Sequence, residues 1–153
     1  MMDIDAIIAE TADTLRGFDW MDGIPVIVEE RGDPDSDTEQ AIAQQRICVV
    51  VGEGGFKPTV QAPDEGAANS VIGAATVVVS VFEKPVVNRI GGETATLKAL
   101  SRRIGSSLAW CQADGMASPL LLRNITPISL FRVDGDSDAI ITRDVEFTTT
   151  AEL

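Results

Sequence analysis

The strongest constraint on this chain is the β-branched run from Val71 to Val87. Val77, Val78, Val79, Val81, Phe82, Val86 and Val87 leave a strand as the natural state of that stretch. Pro85 has no N–H to give to a ladder, so the run is expected to bulge there or to lie at an edge. A second apolar run, Ile47-Cys48-Val49-Val50-Val51, is too short for a buried helix and fits a central strand covered on both faces.

Two amphipathic helices are available to cover such strands. Asp3 is placed to cap the first, whose Ile4, Ile8, Thr11/Ala12 and Leu15 fall on one stripe that ends at Gly17. The second runs from about 94 to 111. Gly91-Gly92 precedes it, Thr94 is its expected cap, and Leu97, Leu100, Ile104, Leu108 and Cys111 recur at helical spacing before Gly115 and Pro119 close it. Asp22-Gly23 turns the chain into the strand Ile24–Val28. Arg31-Gly32-Asp33-Pro34-Asp35 is turn chemistry, after which Ser36 or Asp37 is expected to cap a short helix through Gln44. From Gly52 to Asn69 the chain gathers Gly, Pro, Asp and Glu without periodicity and reads as a long loop. Leu120 to Val133 is another extended run, Asp134–Asp138 turns, and Ala139–Thr150 returns with period two, giving a terminal β-hairpin. No linker or repeat divides the 153 residues, a length suited to one core. The expectation is a single α+β domain over 1–153. It has a mixed or antiparallel sheet, the N-terminal helix and the 94–111 helix packed on it, and a C-terminal hairpin.

Charge narrows the function. Twelve Lys and Arg against 24 Asp and Glu give a formal charge of -12 and a pI near 4.2, opposite to what a phosphate backbone attracts. The acidity is one-sided: residues 1–65 hold 15 acidic and 4 basic side chains, residues 66–153 hold 9 and 8. Lys98, Arg102 and Arg103, on the polar face of the longer helix, form the densest basic cluster, which reads as a solvated face or as a docking surface for acidic residues. The chain has no His and no Tyr, so the commonest general base and neutral metal ligand are both missing. The start of the chain, Met1-Met2-Asp3-Ile4-Asp5, is acidic where a signal peptide is basic. The uncharged stretch Gly66–Phe82 is too short and too rich in small residues to span a bilayer, so no membrane association is expected.

Motifs of site chemistry fail one by one. Asp134, Asp136 and Asp138 begin like a Ca²⁺ loop, but Ala139 and Val145 stand where Gly and Glu are required. Asp33, Asp35 and Asp37 begin likewise and fail at Thr38 and Gln44. Gly52-Glu53-Gly54-Gly55 lacks the third glycine of a dinucleotide fingerprint, and Pro58 opposes a helix there. Carboxylate pairs such as Glu29-Glu30 and Asp64-Glu65 are what 24 acids produce by chance, and an enzyme built on them is the least favoured reading. Cys48 and Cys111, without CxxC spacing or a His neighbour, read as reduced core thiols, and Trp20 and Trp110 as core anchors. No cofactor and no metal is expected.

The element order, together with Val77-Val78-Val79-Ser80-Val81-Phe82-Glu83-Lys84-Pro85-Val86-Val87-Asn88-Arg89 leading into the helix Thr94–Cys111, resembles the tail-terminator and tail-completion proteins of long-tailed bacteriophages and prophages. The resemblance covers about residues 71–111 as sequence. It implies a non-enzymatic virion protein of the tail or neck, assembled in the host bacterial cytoplasm as a ring, usually of six copies. Such a ring caps the tail tube and joins it to the head-side connector, so the implied partners are the chain itself, the tail-tube protein and the connector protein, with neither nucleic acid nor membrane. The long loop after Gly52 and the extra helix near Ser36–Gln44 depart from a simple terminator and leave another neck or head–tail joining protein open. The composition is also that of a small acidic protein-binding module in the cytoplasm. Subunit contacts are expected between Lys98, Arg102 and Arg103 of one copy and acids such as Asp33, Asp35 and Asp37 of a neighbour.

Overall fold

The computed structural model describes residues 1–29, 46–59, 71–85, 88, 96–134 and 138–153. Their elements are α1 (Ile4–Arg16), a 3-10 turn (Asp19–Met21), β1 (Val26–Val28), β2 (Ile47–Pro58), β3 (Ile72–Glu83), α2 (Leu97–Leu108), β4 (Leu121–Ile125), β5 (Ser129–Asp134) and β6 (Asp138–Glu152). The short helix expected at Ser36–Gln44, the turn at Asp33–Asp35 and the cap at Thr94 lie outside the described residues.

The six strands make one mixed sheet, ordered β1-β2-β3-β6, with β4 and β5 both on the outer side of β6. Only the β1–β2 pair is parallel; the others are antiparallel. Both helices cover one face, α1 over β1 and β2, and α2 over β3, β6 and β4. The fold is the expected α+β domain with its N-terminal helix and C-terminal β5–β6 hairpin. No helix among the described residues is long and apolar enough to cross a membrane.

The local chemistry explains each element. Asp3 caps α1 as its sequence requires, its Oδ1 accepting from the Ala6 N–H at 2.7 Å. Ile4, Ile7, Ile8, Ala12 and Leu15 are buried against Val49, Val51, Val77, Val79, Val145 and Phe147 of the sheet. The other helix is capped by Thr96, whose Oγ1 accepts from the Ala99 N–H at 3.2 Å, and it ends at Leu108 instead of Cys111. Its Leu97, Leu100, Ile104 and Leu108 join the same core. On the opposite face Cys48, Val50, Phe82 and Ile140 form a second, smaller core, so β2 is covered on both sides as its run of aliphatics predicts.

Four expectations are corrected. The stretch 52–58, read as the start of a loop, continues β2 opposite Gly73–Val78, with a bulge between Glu53 and Gly55. Its glycines are there for closeness: a Cβ on Gly54 would stand 2.5 Å from Val78 Cγ2, and Gly55 adopts φ 143° at the bulge. The central strand β3 stops at Glu83, two residues before Pro85, so the proline neither bulges it nor marks an edge. The run Leu120–Val133 is two strands because Pro127 interrupts it. Trp110 is no core anchor. It is 74% exposed, with φ 68° just beyond the end of α2, a left-handed conformation that swings the ring away from the stripe of the helix. Trp20 does pack against the core.

Candidate functional site

The basic helix face divides on inspection. Lys98, Arg102 and Arg103 are all exposed, but the Arg103 guanidinium also sits 4.8 Å above the ring of Trp20, which stacks on Phe18 with 5.0 Å between centroids. Arg103 therefore ties α2 to the turn that follows α1 as a cation–π contact. Asp33, Asp35 and Asp37 lie outside the described residues, so the structure does not bring them to the helix.

The surface that sequence reasoning missed is the edge made by β4 and β5. β6 is long enough to serve both: Leu121–Ile125 pairs with Val145–Thr148, and Ser129–Asp134 pairs with Asp138–Thr142. Thr126 pins the crossover. Its N–H donates to the Asp144 carbonyl at 2.9 Å, its Oγ1 accepts from the Asp144 N–H at 2.9 Å, and its carbonyl accepts from Arg143 Nε at 2.8 Å. Both strands pair with β6 alone, and their outer backbone groups have no strand partner among the described residues. Along this edge Leu121, Leu122, Ile128, Leu130, Phe131 and Val133 are all exposed, Leu130 at 62% and Val133 at 55%. An exposed apolar stretch on an open sheet edge marks an interaction surface. The sequence signal was present: Leu120-Leu121-Leu122 and Leu130-Phe131 are apolar at consecutive positions, which a strand with one solvated face does not need.

Charge follows the same geometry. From Pro119 to Val133 the edge holds Arg123 and Arg132 and no carboxylate, and residues 96–134 as a whole hold five cations against two acids. Residues 1–29, which build α1 and the opposite edge, hold seven acids and one Arg. At that opposite edge a groove of about 350 Å³ runs between α1 and β1, with an apolar floor of Ile8, Ala9 and Val28 and the carboxylates Asp5 and Glu29 on its walls. On the helix-free face a second groove of about 370 Å³ places Lys57 and Arg123 around Thr76 and Thr148.

Reactive chemistry is sparse. Burial pushes the Cys48 thiol up to about 12, which keeps it protonated and inert as a nucleophile. Both cysteines are free. Among the described residues no three His, Cys, Asp or Glu side chains come together in a way that could hold a metal ion. Neither a family model nor a curated protein sequence matches this chain.

Proposed function

We propose that this protein is a non-enzymatic structural subunit of a phage virion. In this reading it is a tail-terminator-like protein whose copies close into a ring, most simply of six, on the tail tube and present it to the head-side connector. The observation that carries this reading is the separation of opposite surfaces onto the two edges of one sheet, apolar and cationic at β4–β5, anionic at α1–β1. A chain with complementary, unlike edges meets its neighbour head to tail, and head-to-tail contacts make a ring when the rotation closes. Lys98 and Arg102 lie on the cationic half. The element order and the segment 77–89 support the tail-terminator assignment by resemblance.

Light scattering across a concentration series, with negative-stain images, tests the reading. The expected species is a closed ring at about six times the 16.2 kDa chain mass. A chain that stays at 16.2 kDa at every concentration, and also with tail-tube protein added, overturns it.

A further inference from the structure

Two bulges frame the groove on the helix-free face. Thr76 of β3 stands directly opposite Thr148 of β6, and the same row continues to Gly55 of β2 on one side and Leu121 of β4 on the other. The extra residue in β2, between Glu53 and Gly55, shifts every later side chain by one position. Unshifted, Phe56 would face Ala74 and Lys57 would face Gly73. Shifted, Phe56 pairs with the buried Ala75 and packs on the core, while Lys57 pairs with Ala74 and lines the groove. In β4 the extra residue is Arg123 itself. The shift there sets Ile125 opposite Val145 and onto the core, and Arg123 lines the groove from the side across from Lys57. Gly55 brings no side chain and Ala74 only a methyl group, so these two positions leave space between the cations. Neither Lys57 nor Arg123 is in an ion pair or a side-chain hydrogen bond among the described residues, although the chain has twice as many acids as bases. No described carboxylate lines the groove: Glu146, two residues from Thr148 along β6, stands opposite Val78 and Asn124. Two cations that share a groove repel each other, and an anion held between them turns that repulsion into attraction.

We propose that this groove binds a phosphate group, free or carried on a small molecule, with Lys57 and Arg123 as its counter-charges and the hydroxyls of Thr76 and Thr148 as further donors. Arginine offers paired N–H groups to adjacent phosphate oxygens and lysine a compact point charge, so the two together suit a group of high charge density. A nucleic-acid backbone is not the source. A polyanion must run past the rest of a chain whose formal charge is -12 and is repelled by it, whereas one phosphate group meets the groove alone. The site does not depend on whether copies of the chain associate.

The test is equilibrium dialysis of the full chain against radiolabelled inorganic phosphate at constant ionic strength, a readout indifferent to oligomeric state. Wild type is expected to saturate at one phosphate per 16.2 kDa chain. Lys57→Gln and Arg123→Gln are each expected to weaken binding by roughly tenfold, the loss of one charge-assisted contact. Both positions are exposed, so neither change removes core packing. Arg46→Gln, which takes the same charge from an exposed position just before the other end of β2, is expected to stay within about twofold of wild type. Glycerol 3-phosphate as competitor separates the sources: displacement at lower concentration than unlabelled phosphate assigns the groove to a phosphorylated small molecule, and weaker displacement assigns it to the free anion. The proposal is overturned if phosphate uptake does not saturate, or if Lys57→Gln and Arg123→Gln bind like wild type. It is also overturned if Arg46→Gln weakens binding as much as they do, which would make the effect one of total charge.

Discussion

At the scale of single residues, Cys48 shows how position converts a reactive group into packing. It is 1% exposed in the small core with Val50, Phe82 and Ile140, and burial pushes its thiol up to about 12. In the unfolded chain a cysteine ionises near roughly 8.5. Between that pH and about 12 the unfolded state releases a proton that the folded state keeps, so this residue's contribution to stability is intact below the lower value and is lost as pH rises through the upper one. The urea midpoint of wild type is therefore expected to fall between about pH 8.5 and pH 11, and Cys48→Ala to flatten that fall while lowering the midpoint at neutral pH. Parallel slopes in the two proteins would contradict the assignment. Its burial was legible from the run Ile47–Val51 alone. The exposure of Trp110 was not, because it depends on one dihedral, φ 68°, which places the ring off the helix stripe that its neighbours follow.

Elements were legible where periodicity and caps agreed, and illegible where glycine did a structural task. Asp3, the stripe of α1, the aliphatics of β2 and β3, the stripe of α2 and the return strand β6 all read directly from side-chain spacing. The second half of β2 did not, because Gly52, Gly54 and Gly55 look like a loop until β3 is beside them; then the missing Cβ of Gly54 is what admits Thr76 and Val78, and Gly55 supplies the φ of 143° at the bulge. The same logic governs Gly73 on β3, which pairs with Pro58 and would set a Cβ against the backbone of Lys57 and 2.7 Å from Pro58 Cα. Backbone cannot swing aside as a side chain does, so Gly73→Ala is expected to cost about 2 kcal/mol in chemical denaturation and to speed amide exchange at Phe56, Lys57 and residues 72–74 while leaving β6 and β4 protected. Unchanged stability would mean that the β2–β3 end relaxes freely. The β4–β5 edge stayed hidden for a different reason. Its residues announce a strand, but whether a strand is an edge depends on topology, and only the length of β6 shows that two short strands share one side of it.

Over the whole molecule, charge and tertiary structure assign the arginines of α2 to different tasks. A basic cluster read from sequence treats Lys98, Arg102 and Arg103 as one surface; the fold gives Arg103 to Trp20 and leaves Lys98 and Arg102 outward on the cationic half. Replacement by Glu is therefore expected to separate them. Arg103→Glu removes a cation–π contact worth about 0.5–1 kcal/mol and lowers the thermal midpoint of the chain by a few degrees. The pair Lys98→Glu and Arg102→Glu is expected to leave that midpoint within about a degree and, in the proposed ring, to weaken assembly, because there it would reverse charge on a surface set against an acidic neighbour. In the proposed ring the same electrostatics is expected to make wild-type assembly weaken as NaCl rises from 0.1 M to 1 M, where the screening length falls from about 10 Å to about 3 Å. The doubly substituted chain, having lost the attraction, is expected to show a shallower salt dependence. Equal slopes for the two proteins in sedimentation would take Lys98 and Arg102 out of the contact and leave the apolar β5 edge to hold the copies together without them.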